Sequence, residues 1–298
     1  MFFSAADSFQ MEEYSPRYSI IIPFYNAERF LRECLNSIVS QSFIDWECFC
    51  VDDGSEDNGR RIVEEYAVKD SRIHYVSQVK LGAGIARNSG IKLARGKYLV
   101  FVDADDFLLP EALHLLSSET ADIVTYLKVS DKSTAACAAT FKQDFYVDKL
   151  SNVEYARVID SLGGNLLAWN AIYLRERMGD VKFPNLINCE DLVYCAKTFS
   201  KARTITAGLP CWYFHREVEG SAANSHSWRR VFDTLKTISP MFIGYYRCIR
   251  GWQMWYILMR KLTLHFILHV LAEIPKAMIH SRCKSIRLKI YFKNVCWL

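Results

Sequence analysis

Three aspartates, Asp103, Asp105 and Asp106, follow directly on the apolar run YLVFV at residues 98–102. Carboxylates this close repel one another unless a cation, a donor or a proton separates their charges. A run so apolar places them at the edge of a core, in surroundings of low dielectric. A hard divalent cation whose shell is completed by phosphate oxygens is one solution; a solvated acidic turn or a helix cap ahead of Pro110 is the other. Asp52 and Asp53 stand in the same relation to the strand-like WECFCV, although DDGS is also a good turn. A third acidic pair, Glu190 and Asp191, opens a segment with Leu192, Cys195, Ala196 and Phe199 on one helical face, where carboxylates complement the helix dipole.

The elements that must hold these groups alternate. Tyr18 to Tyr25 (YSIIIPFY) predicts a strand stopped by Asn26, a residue able to cap a helix, and Phe30, Leu31, Cys34, Leu35, Ile38 and Val39 then share one helical face. Trp46 to Val51 predicts a second strand and Arg60 to Val68 a second helix, with Ile62, Val63, Tyr66 and Ala67 inward. Ile73 to Val76, Gly82 to Ala94 and Lys97 to Val102 give strand, helix, strand. This rhythm calls for a parallel sheet with helices on both faces and a ligand site beyond the carboxyl ends of the strands. The acidic clusters, with Tyr25 and Asn26, occupy those ends. Further on, a helix is expected from Pro110, a strand over Asp122 to Val129, a loop from Ser130 to Thr140, and a short strand after LGGNLLAWN (162–170). Two more strands are expected at Arg203 to Ala207 and Cys211 to His215.

With 298 residues, 51% hydrophobic and 23% charged, the chain has the profile of a globular protein of one large domain or two small ones. A formal charge of +4 is too small to announce nucleic acid, but its distribution is uneven. Up to Ser227 there are 24 basic against 31 acidic residues; from Trp228 onward there are 13 against 2. The ten cysteines form no CxxC pair and are expected to be reduced and buried, without a zinc site or disulfide frame. Residues 1–17 lack the pattern of a signal or transit peptide and read as a flexible lead-in. The most apolar late stretch, Trp252 to Ile274, carries Arg260, Lys261 and Glu273, which argues against a membrane span.

Other chemistries fit less well. A dinucleotide fold would need its glycines after the first strand, whereas Gly82 and Gly84 follow the third and Arg87 fills the third small position. A two-metal nuclease or phosphatase needs further ligands, and the histidines are scattered. A nucleotidyltransferase would carry a basic, Gly-rich first loop, which PFYNAERF lacks, and a non-catalytic sugar- or lipid-binding scaffold would be free to lose the carboxylates.

The ordered segments IIPFYNAERFLRECLNSIVSQSFIDWECFCVDDGSEDNG, GAGIARNSGIKLARGKYLVFVDADDFLLP, AWNAIYL, FPNLINCEDLVYCAKTF and HREVEGSAANS together resemble the family-2 inverting glycosyltransferases of the GT-A fold, of the bacterial polysaccharide-synthesis type. The resemblance runs from Tyr18 to Ser225. It implies a Rossmann-like, mostly parallel α/β domain over residues 18–227; the charge break after Ser227 sets off a basic, aromatic, helical extension over 228–298. It also implies a nucleotide-sugar donor, usually UDP-linked, a Mn2+ or Mg2+ ion, and a saccharide or lipid-linked saccharide acceptor. Pro23, Tyr25 and Asn26 would border the nucleoside, Asp53 would accept the uracil imide hydrogen with Asp52 close by, and Arg87 and Asn88 would line the donor site. Asp103, Ala104 and Asp105 fit the DXD metal motif, with Asp106 as a further carboxylate bordering the sugar pocket. Asp191 of the Glu190-Asp191 pair would be the general base, Trp169, Asn170 and Glu190 would shape the acceptor pocket, and His215 and Arg216 would reach the diphosphate or the metal. The +11 extension, with Trp252, Trp255, Tyr256, Met259, Leu262 and Phe266, is expected to hold the protein peripherally on an anionic membrane, at the cytoplasmic face, rather than on nucleic acid.

Overall fold

The computed structural model describes residues 15–130, 143–146, 167–186 and 190–216. Most of the expected lead-in, the loop beyond Ser130, the start of the 162–170 segment and the basic extension lie outside the described residues. In chain order the strands are β1 (Tyr18–Phe24), β2 (Trp46–Asp52), β3 (Ile73–Ser77), β4 (Tyr98–Phe101), β5 (Phe107–Leu108), β6 (Ile123–Ser130), β7 (Gln143–Tyr146), β8 (Ala171–Leu174) and β9 (Thr204–His215). The helices are α1 (Glu28–Val39), α2 (Gly59–Ala67), α3 (Ala83–Leu93), α4 (Ala112–Leu115), α5 (Arg175–Met178) and α6 (Glu190–Lys201), and a 3-10 turn spans Ala168–Asn170.

All nine strands join one sheet in the order β3-β2-β1-β4-β8-β6-β9-β5, with β7 on β9. β3, β2, β1 and β4 are parallel. β8 runs antiparallel to both β4 and β6, and β9 is parallel to β6. The sheet is thus mostly parallel but mixed, because the chain returns across it after β4 instead of continuing the strand-helix alternation. The reversal at β4/β8 sets the carboxyl end of β4 beside the Trp169 turn, which immediately precedes β8.

β1 alternates by face, as the period of two requires. Ile20 and Ile22 join Leu31, Cys34, Leu35 and Ile38 of α1 in the main core, while Ile21 meets α3. There a Cβ on Gly90 would lie 2.5 Å from Ile21 Cγ2, so the helix seats against the strand only because position 90 has no side chain. Phe101, Tyr173, Phe183 and Tyr194 form an aromatic cluster on the same side of the sheet, which docks α6 onto β4 and β8.

Three expectations are corrected. Asn26 does not cap α1; Ala27 holds that position, and Asp57 Oδ2 from the next loop accepts the Glu28 N–H at 2.8 Å. Val39 faces water, 38% exposed, because it lies about 100° around the helix from Ile38, at the edge of the face that Leu31, Cys34, Leu35 and Ile38 turn inward. The two late strands are one, β9, whose pairing with β6 shifts register between Tyr126 and Lys128, opposite Pro210. A proline has no N–H for the ladder, and the irregularity absorbs it without ending the strand.

Candidate active site

Beyond the carboxyl ends of β1 and β2 two loops brace each other. Asn26 adopts a positive φ of 49°, which Asn tolerates better than most residues. Its N–H donates to Ser55 Oγ at 3.0 Å, and its Oδ1 accepts from the Glu56 N–H at 2.8 Å. Tyr25 is thereby turned out to the surface, where Lys80 Nζ sits 3.5 Å from its ring centre. Asp52 and Asp53 lie beneath, both buried. Asp52 accepts the Ser55 N–H at 2.7 Å and the Tyr75 hydroxyl at 2.9 Å. Asp53 accepts from Gln78 Nε2 (2.7 Å), the Leu81 N–H and the Gly82 N–H (both 2.8 Å). Gly82 precedes α3 at φ 99°, a conformation open to glycine, so Asp53 places its charge at that helix's amino end, where the dipole favours it.

At the end of β4 the three aspartates diverge. Asp103 is partly exposed, 27% for its side chain, and faces Arg87. Asp105 keeps a partly exposed side chain, whose carboxyl burial pushes up to about 6, with Asp103 and Asp106 adding to the effect. Ala104, between them, is buried. Asp106 turns inward and is fully buried. Its Oδ2 accepts the Tyr213 hydroxyl at 2.6 Å and faces His215 Nδ1 at 3.2 Å, while its Oδ1 accepts the Arg216 N–H at 2.8 Å. The Tyr213 oxygen in turn accepts the Asp103 N–H at 3.1 Å. Asp106 therefore ties the β4 turn to the end of β9. Arg216 is engaged within the protein: its Nε donates to the Asp105 carbonyl at 3.0 Å and its Nη2 to Glu33 of α1 at 2.6 Å.

Arg87, 4% exposed, brings the distant pieces together. Its Nη2 donates to Asp103 Oδ1 at 2.8 Å, and its Nη1 to Asp191 Oδ1 at 2.9 Å and Glu190 Oε1 at 3.1 Å. Its neighbour Asn88 pairs its amide with both backbone groups of Phe183, each at 2.9 Å, fixing the segment that leads toward α6. Burial raises the Asp191 carboxyl to about 7 against the pull of Arg87, with Glu190 and Asp103 pushing the same way as burial. A hydrogen bond from Ala168 in the 3-10 turn works in the opposite direction. Trp169 lies flat over Tyr213 (4.8 Å) and His215 (5.0 Å), so the turn that reaches Asp191 is pinned to β9. Asn170, beside it, is buried, as is Pro23 in β1.

The sequence-predicted residues thus fall into one region above β1, β2 and β4. Arg87, Asp103, Glu190 and Asp191 meet directly; Tyr25, Asp52 and Asp53 form a second group on the β1/β2 side. Lys80, Gln78 and Tyr213 belong to the site and were not singled out from the sequence. Tyr213 was accessible to the period of two, which puts it on the same face of β9 as His215; Lys80 and Gln78 carry no local signal.

Among the described residues no three His, Cys, Asp or Glu side chains converge as a preformed metal cage. Asp103 and Asp105 nonetheless suit a hard cation that takes its other ligands from phosphate, since both are oxygen donors with side chains partly open at the end of β4.

Residues 19–125 match the family model described as Glycosyl transferase family 2. The uncharacterized glycosyltransferase EpsJ of Bacillus subtilis is 41% identical over 126 residues, 40% of this chain and 37% of that protein. The poly(ribitol-phosphate) beta-glucosyltransferase of Bacillus spizizenii is 30% identical over 205 residues, 66% of this chain and 32% of that one. The chain therefore spans about a third of the length of these curated relatives. Among solved structures, S. aureus TarS 1-349 in complex with UDP-GlcNAc superposes with a TM-score of 0.58 at 20% identity, covering 78% of this chain and 72% of that one, a likeness of fold.

Proposed function

With a glycosyl transferase family 2 domain of GT-A fold as the premise, we propose that the protein is an inverting glycosyltransferase of bacterial surface-polysaccharide synthesis. It moves a sugar from a UDP-sugar to a glycan or lipid-linked saccharide. The observation that carries this reading is the meeting of Asp103 and Asp191, from a strand end and a helix start, on the two sides of Arg87. A transfer with inversion needs two charges handled at once: the acceptor hydroxyl must lose a proton as it attacks, and the diphosphate must leave with its charge stabilised.

Asp191 is the general base. A carboxyl raised to about 7 holds a proton more firmly than an ordinary aspartate, which matches it to a hydroxyl giving one up near neutral pH. Tyr25 offers an exposed ring for the base of the nucleotide, and Lys80, now over that ring, is within reach of the same ligand. Asp53 holds the amino end of α3 in place beneath them. Asp103 and Asp105 would hold Mn2+ or Mg2+, which would supply charge neutralisation for a departing diphosphate. Trp169 and Asn170 form the wall on the acceptor side. The TarS complex with UDP-GlcNAc supports a UDP-linked donor. The basic segment from Trp228 supports a peripheral position on the cytoplasmic membrane face, where lipid-linked acceptors are found.

The test is UDP release by the full-length protein from a panel of UDP-sugars, with and without saccharide acceptors, in Mn2+, Mg2+ or chelator. Metal-dependent release accelerated by one acceptor class, with product of anomeric configuration opposite to the donor, is expected. Absence of both UDP binding and turnover across the panel would overturn the reading.

A further inference from the structure

We infer that Arg87 is a positioning residue whose guanidinium sets Asp191 at a fixed distance and angle from Asp103, so that one side chain aligns the proton-accepting and diphosphate-facing halves of the site. The inference rests on the transferase reading above and assigns Arg87 a role other than donor ligand.

Both hydrogens of Nη1 are taken by carboxylates of α6, and Nη2 reaches the end of β4. The fork geometry of a guanidinium can hold three oxygens in one plane, which an ammonium, a point charge on a flexible stem, cannot. The base of this fork is rigid. α3 is pressed onto β1 at Gly90, Asn88 grips the backbone of Phe183, and the Phe183 ring lies 5.3 Å from the guanidinium carbon. One cation among three carboxylates is also held by net opposite charge; three of its five N–H donors go to those carboxylates, and Nε is buried without a partner. α6 and β4 are otherwise linked by apolar ring contacts, Phe101 against Tyr194 among them, which fix separation more than they fix the direction of a carboxylate.

The full-length protein carrying Arg87→Lys or Arg87→Met separates the possibilities. Both variants should bind UDP in the presence of Mn2+ with a Kd within about threefold of the wild type and an unchanged donor KM, while kcat falls about 100-fold, the scale of a misplaced reacting group. Hydrogen exchange should show protection lost in each variant at the amides of residues 194–197, which bond to the carbonyls of the first turn of α6. Near-normal turnover by Arg87→Lys overturns the proposal, because charge alone would then suffice. UDP affinity falling in step with kcat/KM also overturns it, since Arg87 would then be a donor ligand. If the wild type neither binds UDP nor transfers sugar, the transferase reading fails by itself. Hydrogen exchange still decides the positioning claim in that event: unchanged protection at the amides of residues 194–197 in Arg87→Lys refutes it.

Discussion

Asp191 and Asp106 are two aspartates buried at the same end of one sheet, and their partners give them opposite uses. Asp191 meets a cation shared with two other carboxylates, so burial keeps its carboxyl raised to about 7. The charged groups facing it are Arg87 from α3, Asp103 from the end of β4 and Glu190 beside it on α6. Its active form as a base is the deprotonated one, so kcat/KM should rise with pH and level off above about 7. Asp191→Asn should bind UDP normally and transfer sugar about 100- to 10,000-fold more slowly, the usual span for a lost general base. A pH limb that persists unchanged in that variant would count against the assignment. Asp106, by contrast, accepts from Tyr213, faces His215 and accepts the Arg216 N–H, so both of its oxygens are engaged within the protein. Asp106→Ala strands those donors in a buried place and should cost about 2–4 kcal/mol in urea denaturation. Mn2+-dependent UDP binding should survive where the variant is folded; loss of metal binding in a stable variant would return Asp106 to the metal site.

At the scale of elements, what was legible in the sequence was what repeats with a period. β1 to β4 and α1 to α3 each carry a run or face long enough to declare its type, and their order fixed the edge on which the carboxylates gather. β5, two residues long, falls below the length at which any pattern speaks, and β7, QDFY, offers no apolar run of the kind that declares β4. β9 was read as two strands because Pro210 interrupts it, and only its partners keep it whole. The junction of Asp103 with Asp191 through Arg87 was illegible for another reason: Arg87 and Asp191 are 104 positions apart, and only tertiary packing makes them neighbours. Gly90 shows the same limit. Its composition reads as a weak spot in α3, yet its bareness lets α3 approach β1. Gly90→Ala gains about 0.5–1 kcal/mol of helix propensity and loses about 1–3 kcal/mol to overpacking against Ile21, so the protein should be destabilised overall. In an Ile21→Ala background, which lacks the Cγ1 and Cγ2 atoms that the new methyl would meet, Gly90→Ala should cost less in thermal melts than it does in the wild type. Equal or additive destabilisation by the pair would mean that the contact does not limit the helix's approach.

The whole molecule is electrically lopsided. Residues 1–227 hold 24 basic and 31 acidic side chains, residues 228–298 hold 13 and 2. An anionic lipid surface repels the first part and attracts the second, so binding would orient the molecule as well as hold it. Each Lys or Arg near such a surface contributes roughly 1 kcal/mol, and a few engaged residues outweigh the weaker repulsion of an acidic body standing beyond a screening length of about 8 Å. The aromatic residues between Trp252 and Phe266 would add apolar burial at the headgroup level, with Arg260 and Lys261 extending to the phosphates. A segment of this kind packed instead against the catalytic domain would expose its charges to water and show no preference for lipid. Flotation of the full-length protein distinguishes the two. It should rise with anionic vesicles in low salt, release as salt increases, and stay down with zwitterionic vesicles, and Arg260→Glu with Lys261→Glu should weaken the association. Protein that remains at the bottom with anionic vesicles in low salt would assign the basic segment to packing, and the acceptor would then have to reach the site from solution.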